Sequence, residues 1–146
     1  MVIPVVRPTG EGSIYEVLGE QVTLKVTGEE TAGAYALVEE ISPPGGGPPL
    51  HVHSREDEAF YILEGEYEFR IGDQVIHAKP GDFLYAPKHL QHTFRNVSDS
   101  NSKMVISLIP AGFEGFFRET GELTQSGPPE IPVVIELGRK YGLEFV

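Results

Sequence analysis

A chain of 146 residues is long enough to bury the core of one domain without covalent staples. It contains no cysteine, which excludes disulfides, thiolate zinc sites, thiol nucleophiles and iron–sulfur clusters, so any metal is held by nitrogen and oxygen. Twenty-two acidic residues against eleven Lys and Arg give a net charge of −11, a field that repels phosphate backbones and argues against nucleic acid as a partner.

In chain order, the start MVIPVVRPTGEG is too short, and too broken by Pro4 and Pro8, for a signal peptide or a spanning helix. A soluble cytoplasmic protein with no membrane contact is therefore expected. From Tyr15 the pattern is strand-like, with VTLKV (Val22 to Val26) and AYALVEEI (Ala34 to Ile41) as half-buried strands. After the brake PPGGGPP comes LHVH, then EAFYILEGEYEFRI from Glu58 to Ile71, whose EGE centre reads as a hairpin turn at Gly65. Turns at Gly72-Asp73 and Pro80-Gly81-Asp82 frame QVIHA and FLYA, and HTFRNV and KMVISLI complete about nine or ten short strands. The spacing predicts an all-β sandwich or small barrel over about residues 10–110, within a single domain spanning 1–146. In the tail, about 111–146, Phe113, Phe116 and Phe117 recur at helical spacing. The segment IPVVIEL reads as a second helix, with a strand at PVVIEL as the alternative.

Strand parity selects the candidate site. His51 and His53 point to one side of an extended chain, about 6.5 Å apart along it, while Leu50 and Val52 point to the other. Of the nearby acids Glu56, Asp57, Glu58 and Glu64, only Glu58 leads an otherwise apolar row, with Phe60 and Ile62. A carboxylate there is costly to bury unless a cation meets it. His92 shares parity with Phe94 and joins the set; His77 has no companion ligand and reads as a core-edge or surface histidine. Three imidazoles and one carboxylate suit one divalent transition metal (Fe, Mn, Ni, Cu, Zn or Co) and leave coordination positions open. No phosphate-cradling Lys with Ser or Thr follows GGGPP, and the helical His-Glu-x-x-His pattern of zinc proteases is absent from the sequence.

These residues resemble the two-part signature of the cupin superfamily. Gly45, His51, His53, Glu58 and Gly65 fill the first part at its spacing, and Gly81, Pro87, His92 and Asn96 fill the second. His89 stands where the family usually has glycine. The tail is similar to that of microbial single-domain members described as quercetin 2,3-dioxygenase-like. The resemblance implies a cupin-type double-stranded β-helix (jelly-roll) barrel with short C-terminal helices. It also implies His51, His53, Glu58 and His92 as metal ligands, with Glu58 as catalytic base too. Phe60, Tyr67, Phe69, Phe83, Tyr85 and Phe94 are expected to line a substrate pocket, and His89 either hangs over the barrel mouth or lies in a solvent-exposed turn. The implied activity is oxygenation of a small hydroxylated compound (flavonol-, catechol- or enediol-like). The alternatives are a non-catalytic small-molecule binder or sensor, and an isomerase or decarboxylase of a small oxygenated acid. Homodimerisation, common in that family, is expected.

Overall fold

Period-two patterning organises the chain into two antiparallel sheets in the computed structural model, which describes residues 3–146. One sheet runs in the order β1 (Ser13–Val17), β2 (Glu20–Val26), β3 (Ala36–Ser42), β10 (Ser102–Ile109), β5 (Asp57–Glu64) and β8 (Phe83–Ala86). The other runs β11 (Leu143–Phe145), β4 (His51–His53), β9 (His92–Asn96), β6 (Tyr67–Ile71) and β7 (Gln74–Ala78). Three helices complete the described residues: α1 (Gly28–Thr31), α2 (Glu114–Thr124) and α3 (Ile131–Lys140). None is long and apolar enough to cross a membrane.

Alternation decides which side chains meet. Every second residue of β10 is buried (Ser102, Met104, Ile106, Leu108), and it faces the matching row Ala36, Val38, Glu40, Ser42 of β3. Phe60, Ile62, Tyr67, Phe69, Met104 and Leu108 are fully buried and fill the middle of the barrel. Burying aromatics of this size contributes about 2–3 kcal/mol each.

Two turns came out differently from each other. Gly72 and Asp73 form the two-residue hairpin loop between β6 and β7, with Gly72 at φ 57°. Gly65 does not make a hairpin: β5 pairs with β10 and β8, whereas β6 pairs with β7 and β9. The chain instead crosses between sheets there, and a Cβ on Gly65 would collide with Ser102. Turn chemistry showed that the chain bends at Gly65 but not which sheet receives it.

The far end of the barrel is closed by polar side chains. Asn96 Nδ2 donates to the Ser42 and Ser100 carbonyls (2.9 and 2.8 Å), and its Oδ1 accepts from Ser98 N and Ser102 Oγ (2.9 and 2.8 Å). Ser42 Oγ donates to Glu20 Oε1 (2.6 Å) and accepts from Tyr67 OH (3.0 Å). Asn96 thus pins the second sheet to the first through β3 and β10.

Glu20 and Glu40 are buried on that inward surface. Burial pushes the Glu20 carboxyl up to about 7, the Ser42 hydrogen bond opposing it. Burial, then the charges of Glu20 and Glu58, raises Glu40 well above the carboxylate range. Between the unfolded value of 4.5 and about 7 the folded chain therefore holds more protons than the unfolded one. Stability from Glu20 is full below about pH 4.5 and falls as pH rises toward 7, by about 2 kcal/mol after allowance for solvent screening. Urea denaturation across this range should show the fall in the parent protein and a flatter profile in Glu20→Gln; equal slopes would count against the assignment.

The tail is helical at IPVVIEL, with proline in the first turn of α3 and Arg139 and Lys140 in its last. Glu114 ties α2 to the start of α1, accepting from Gly28 N (2.7 Å), and accepts from Gly112 N (2.6 Å) in the segment before α2. The final strand β11 was not foreseen, because GLEF is too short to signal itself. It is held by pairing with β4.

Candidate metal centre

β4, β5 and β9 bring four predicted residues to one point. His51 pairs directly with His92 across β4 and β9, and Glu58 opens the inward row of β5. One ligand atom from each of His51, His53, Glu58 and His92 lies within 4.8 Å of every other, and all four side chains are buried. The ring centroids stand 4.4 Å (His51–His92), 5.0 Å (His51–His53) and 5.4 Å (His53–His92) apart.

Each imidazole has an outer acceptor at Nδ1. His51 Nδ1–H donates to the Pro49 carbonyl at 2.8 Å, His92 Nδ1 faces the Leu90 carbonyl at 3.4 Å, and His53 Nδ1 lies 3.2 Å from Glu56 Oε2. The Pro49 contact sets the His51 tautomer and leaves its Nε2 for the interior, whereas His53 Nδ1 and Glu56 Oε2 lie close without forming an aligned hydrogen bond. Glu58 Oε1 closely approaches His53 Nε2 and lies 3.5 Å from His92 Nε2. It nevertheless has no aligned hydrogen bond. A buried carboxylate oxygen faced by imidazole nitrogens, yet unpaired, fits a cation shared among them. The donor set, three nitrogens and one oxygen, fits a divalent transition metal.

Electrostatics agrees with a site built for positive charge. Burial and then the neighbouring His92 and His53 bring His51 down to about 3. Burial would lower His53 as well, but Glu58 and Glu56 together outweigh it and push it up to about 10. Burial opposes ionisation of Glu58, yet His53 and then His92 hold it well below the carboxylate range. A proton on His53 balances Glu58 where a metal's charge would otherwise do so.

Glu56 is the residue that reading the sequence missed; it was one of several loop acids. It is as buried as its histidine partner, and its place three residues after a ligand was the available signal. Asp57 instead faces outward and accepts from Lys88 N at 2.9 Å. Glu56→Gln should weaken metal affinity by about 10- to 100-fold without lowering stoichiometry at saturation, as outer partners of ligating histidines do. Competition against a chelator measures the shift, and an unchanged midpoint would remove Glu56 from the site.

A cavity of about 450 Å³ opens from the cluster, a size suited to a small organic ligand. Of the six aromatics expected to line it, only Phe94 does. Phe60, Tyr67 and Phe69 are core residues. Phe83 and Tyr85 correct the expectation most clearly: they are 63% and 47% exposed, because Leu84 and Ala86 take the inward positions of β8 opposite Phe60 and Glu58. Much of the apolar wall comes instead from the tail, with Phe113, Phe116, Phe117, Val134 and Phe145, alongside Val17, Leu18 and Ile106 of the barrel. Phe113 sets its edge against His53 at 4.5 Å.

His89 lies in an exposed turn at φ 70° and is not part of the cavity wall. Its backbone N–H, not its ring, meets the site, donating to the His53 carbonyl at 2.7 Å. His77 is exposed and contacts Glu66 at 2.9 Å.

Residues 38–108 match the family model described as a cupin domain. The chain is 35% identical over 121 residues to quercetin 2,3-dioxygenase of Bacillus subtilis (strain 168), covering 82% of this chain and 35% of that protein. It therefore spans about a third of that relative's length. Among solved structures, KdgF from Halomonas sp. superposes with a TM-score of 0.69 at 19% identity, over 77% of this chain and 99% of the other. A predicted oxalate decarboxylase from Thermotoga maritima gives 0.66 at 21%, over 73% and 99%. The two sheets are those of a double-stranded β-helix.

Proposed function

The chain belongs to the cupin superfamily through residues 38–108, and from that premise we propose that it is a metal-dependent oxygenase acting on a small hydroxylated compound. The observation that carries the reading is the buried His51, His53, Glu58 and His92 cluster, of which His51, His53 and Glu58 line a mostly aromatic and aliphatic cavity. A divalent transition metal held by these residues supplies Lewis acidity and, for a redox-active ion, reactivity toward dioxygen.

The remaining work falls to the chain. Phe94, Phe113, Phe116 and Phe145 offer flat apolar surfaces to a ring-bearing ligand and exclude water around it. Glu58, ionised because His53 and His92 face it, offers its carboxylate as a hydrogen-bond acceptor for a ligand hydroxyl, and serving as a base would require that hydroxyl to be made acidic by the bound metal. His53, backed by Glu56, and His51, braced by Pro49, keep their rings fixed beside it. The tail fits the wall to flat apolar ligands better than to the small oxygenated acids of an isomerase or decarboxylase. Self-association belongs to the same proposal. Tyr61, Phe83 and Tyr85 lie exposed together on the outer face at the β5–β8 edge, an apolar area suited to a second copy.

The test is oxygen uptake by protein reconstituted separately with Fe, Mn, Ni, Cu, Zn and Co, using quercetin, catechol and an acireductone-like enediol. Uptake with at least one metal and one compound is expected. Stoichiometric metal and measurable ligand binding without oxygen consumption would overturn the oxygenase and leave a binding module.

A further inference from the structure

The wall of the cavity carries a second polar feature that the metal cluster does not use. Glu20 and Glu40 both line it, at 6% and 4% exposure. They come from adjacent strands: Val22 of β2 pairs with Glu40 of β3, and Glu20 lies two residues before Val22 on the same inward row. Through β10 the register places Glu40 level with Ile62, further along β5 than Glu58. The acids therefore occupy a level of the barrel separate from the metal ligands.

Their hydrogen bonding is incomplete. Glu20 Oε1 accepts from Ser42, whose hydroxyl is in turn held by Tyr67, but Glu20 Oε2 has no partner. Glu40 Oε2 has none either. Leaving buried carboxyl oxygens unpaired is unfavourable, and groups of this kind are ordinarily completed by a ligand or water. The charged side chains lining the cavity, apart from the histidines, are Glu20, Glu40 and Glu58, with no Lys or Arg among them.

We propose that Glu20 and Glu40 form a second polar subsite that hydrogen-bonds hydroxyl groups of an uncharged ligand whose other end lies at Glu58 and the histidines, and that disfavours a carboxylate at the same place. A hydroxyl both donates and accepts, so it matches a carboxyl group in either protonation state. A carboxylate would lose its water on entering with no Lys or Arg in the lining to offset its charge, a cost that a neutral hydroxyl does not carry. Burial pushes both carboxyls upward, which adds donor capacity near neutral pH. The subsite gives the ligand a direction: a chelating end toward the histidines, an apolar middle against the tail helices, and hydroxyls at the far end. The inference rests on the proposed function only for placing the ligand in this cavity; it does not need turnover.

The test uses the full chain loaded with zinc, which is redox-silent, and compares binding of quercetin and 3-hydroxyflavone by fluorescence titration. Both probes carry the same hydroxy-ketone chelating unit, and only quercetin has additional hydroxyls. The parent protein should prefer quercetin by about ten-fold, the value of one well-made polar contact. Glu40→Leu, and independently Glu20→Leu, should bring the ratio close to one; having both protects the test against one failing to fold. A flavone bearing a ring carboxylate should bind the parent more weakly than 3-hydroxyflavone. Equal affinities in the parent, or a preference unchanged in both variants, overturns the subsite and leaves the oxygenase reading intact. Failure to bind either flavonol at full zinc occupancy also overturns the subsite, while the oxygenase reading is decided separately by oxygen uptake with catechol and the enediol.

Discussion

Replacing His92 with alanine is expected to take the protein from stoichiometric transition metal to almost none after dialysis. Four protein ligands supply on the order of 12 kcal/mol in metal sites of comparable size, so removing one loses about 3 kcal/mol. That is a factor of more than about 100 in affinity. His92 is a suitable probe because Glu58 keeps its close contact with His53 when the His92 ring is gone. The buried space left by the ring should itself cost about 2 kcal/mol. Comparing melting of the variant with that of chelator-treated parent protein separates that packing loss from the metal loss. Elemental analysis is the decisive readout: unchanged metal content in His92→Ala would remove it from the ligand set.

The second large effect is expected at Gly47, in the PPGGGPP brake. A Cβ there would overlap the Phe94 carbonyl oxygen and press on Arg95, which are backbone atoms that cannot swing aside. The loop is locked in this position by Gly45 N donating to the Asn96 carbonyl (2.9 Å) and Asn96 N donating to the Gly46 carbonyl (2.8 Å). Gly47→Ala must therefore push the loop off β9, the strand that carries His92. A loss of about 3 kcal/mol is expected, or about 10 °C in melting temperature. Gly45→Ala is the control. Gly45 has φ 78° but open space around its Cβ position, so only the left-handed backbone penalty of about 1 kcal/mol applies. Calorimetry of the two variants checks the order; a larger loss at Gly45 would refute the close-approach argument.

Gly45 is the glycine that the two-part signature singles out, yet Gly47 is the one that the packing needs. Spacing in a sequence registers where a motif residue stands, not which neighbouring backbone passes within reach of it. The four cluster residues were legible for a different reason. Alternation along a strand is a strict rule, and a polar residue heading an apolar inward row stands out against it, as Glu58 does before Phe60 and Ile62. The same rule gave no guidance in FLYA, where both faces are apolar. There Phe83 and Tyr85 were expected inside, while the register sets Leu84 and Ala86 on the buried face opposite Phe60 and Glu58. Phe60 and Phe69 do point inward, but their rings pack at 5.0 Å in the core, and much of the cavity wall comes from the tail. Those contributions depend on how the helices fold back, a long-range outcome that periodicity does not encode.

Glu58 belongs to one sheet, and the three histidines belong to the other. A metal held by all four is therefore a weld between the two halves of the barrel, in a chain that has no cysteine to make a covalent one. Unlike a disulfide, such a weld opens and closes with the free concentration of its ion, and the resistance of the fold to heat follows that concentration by mass action. For this molecule a chelator should play the part that a reducing agent plays for a disulfide-held domain.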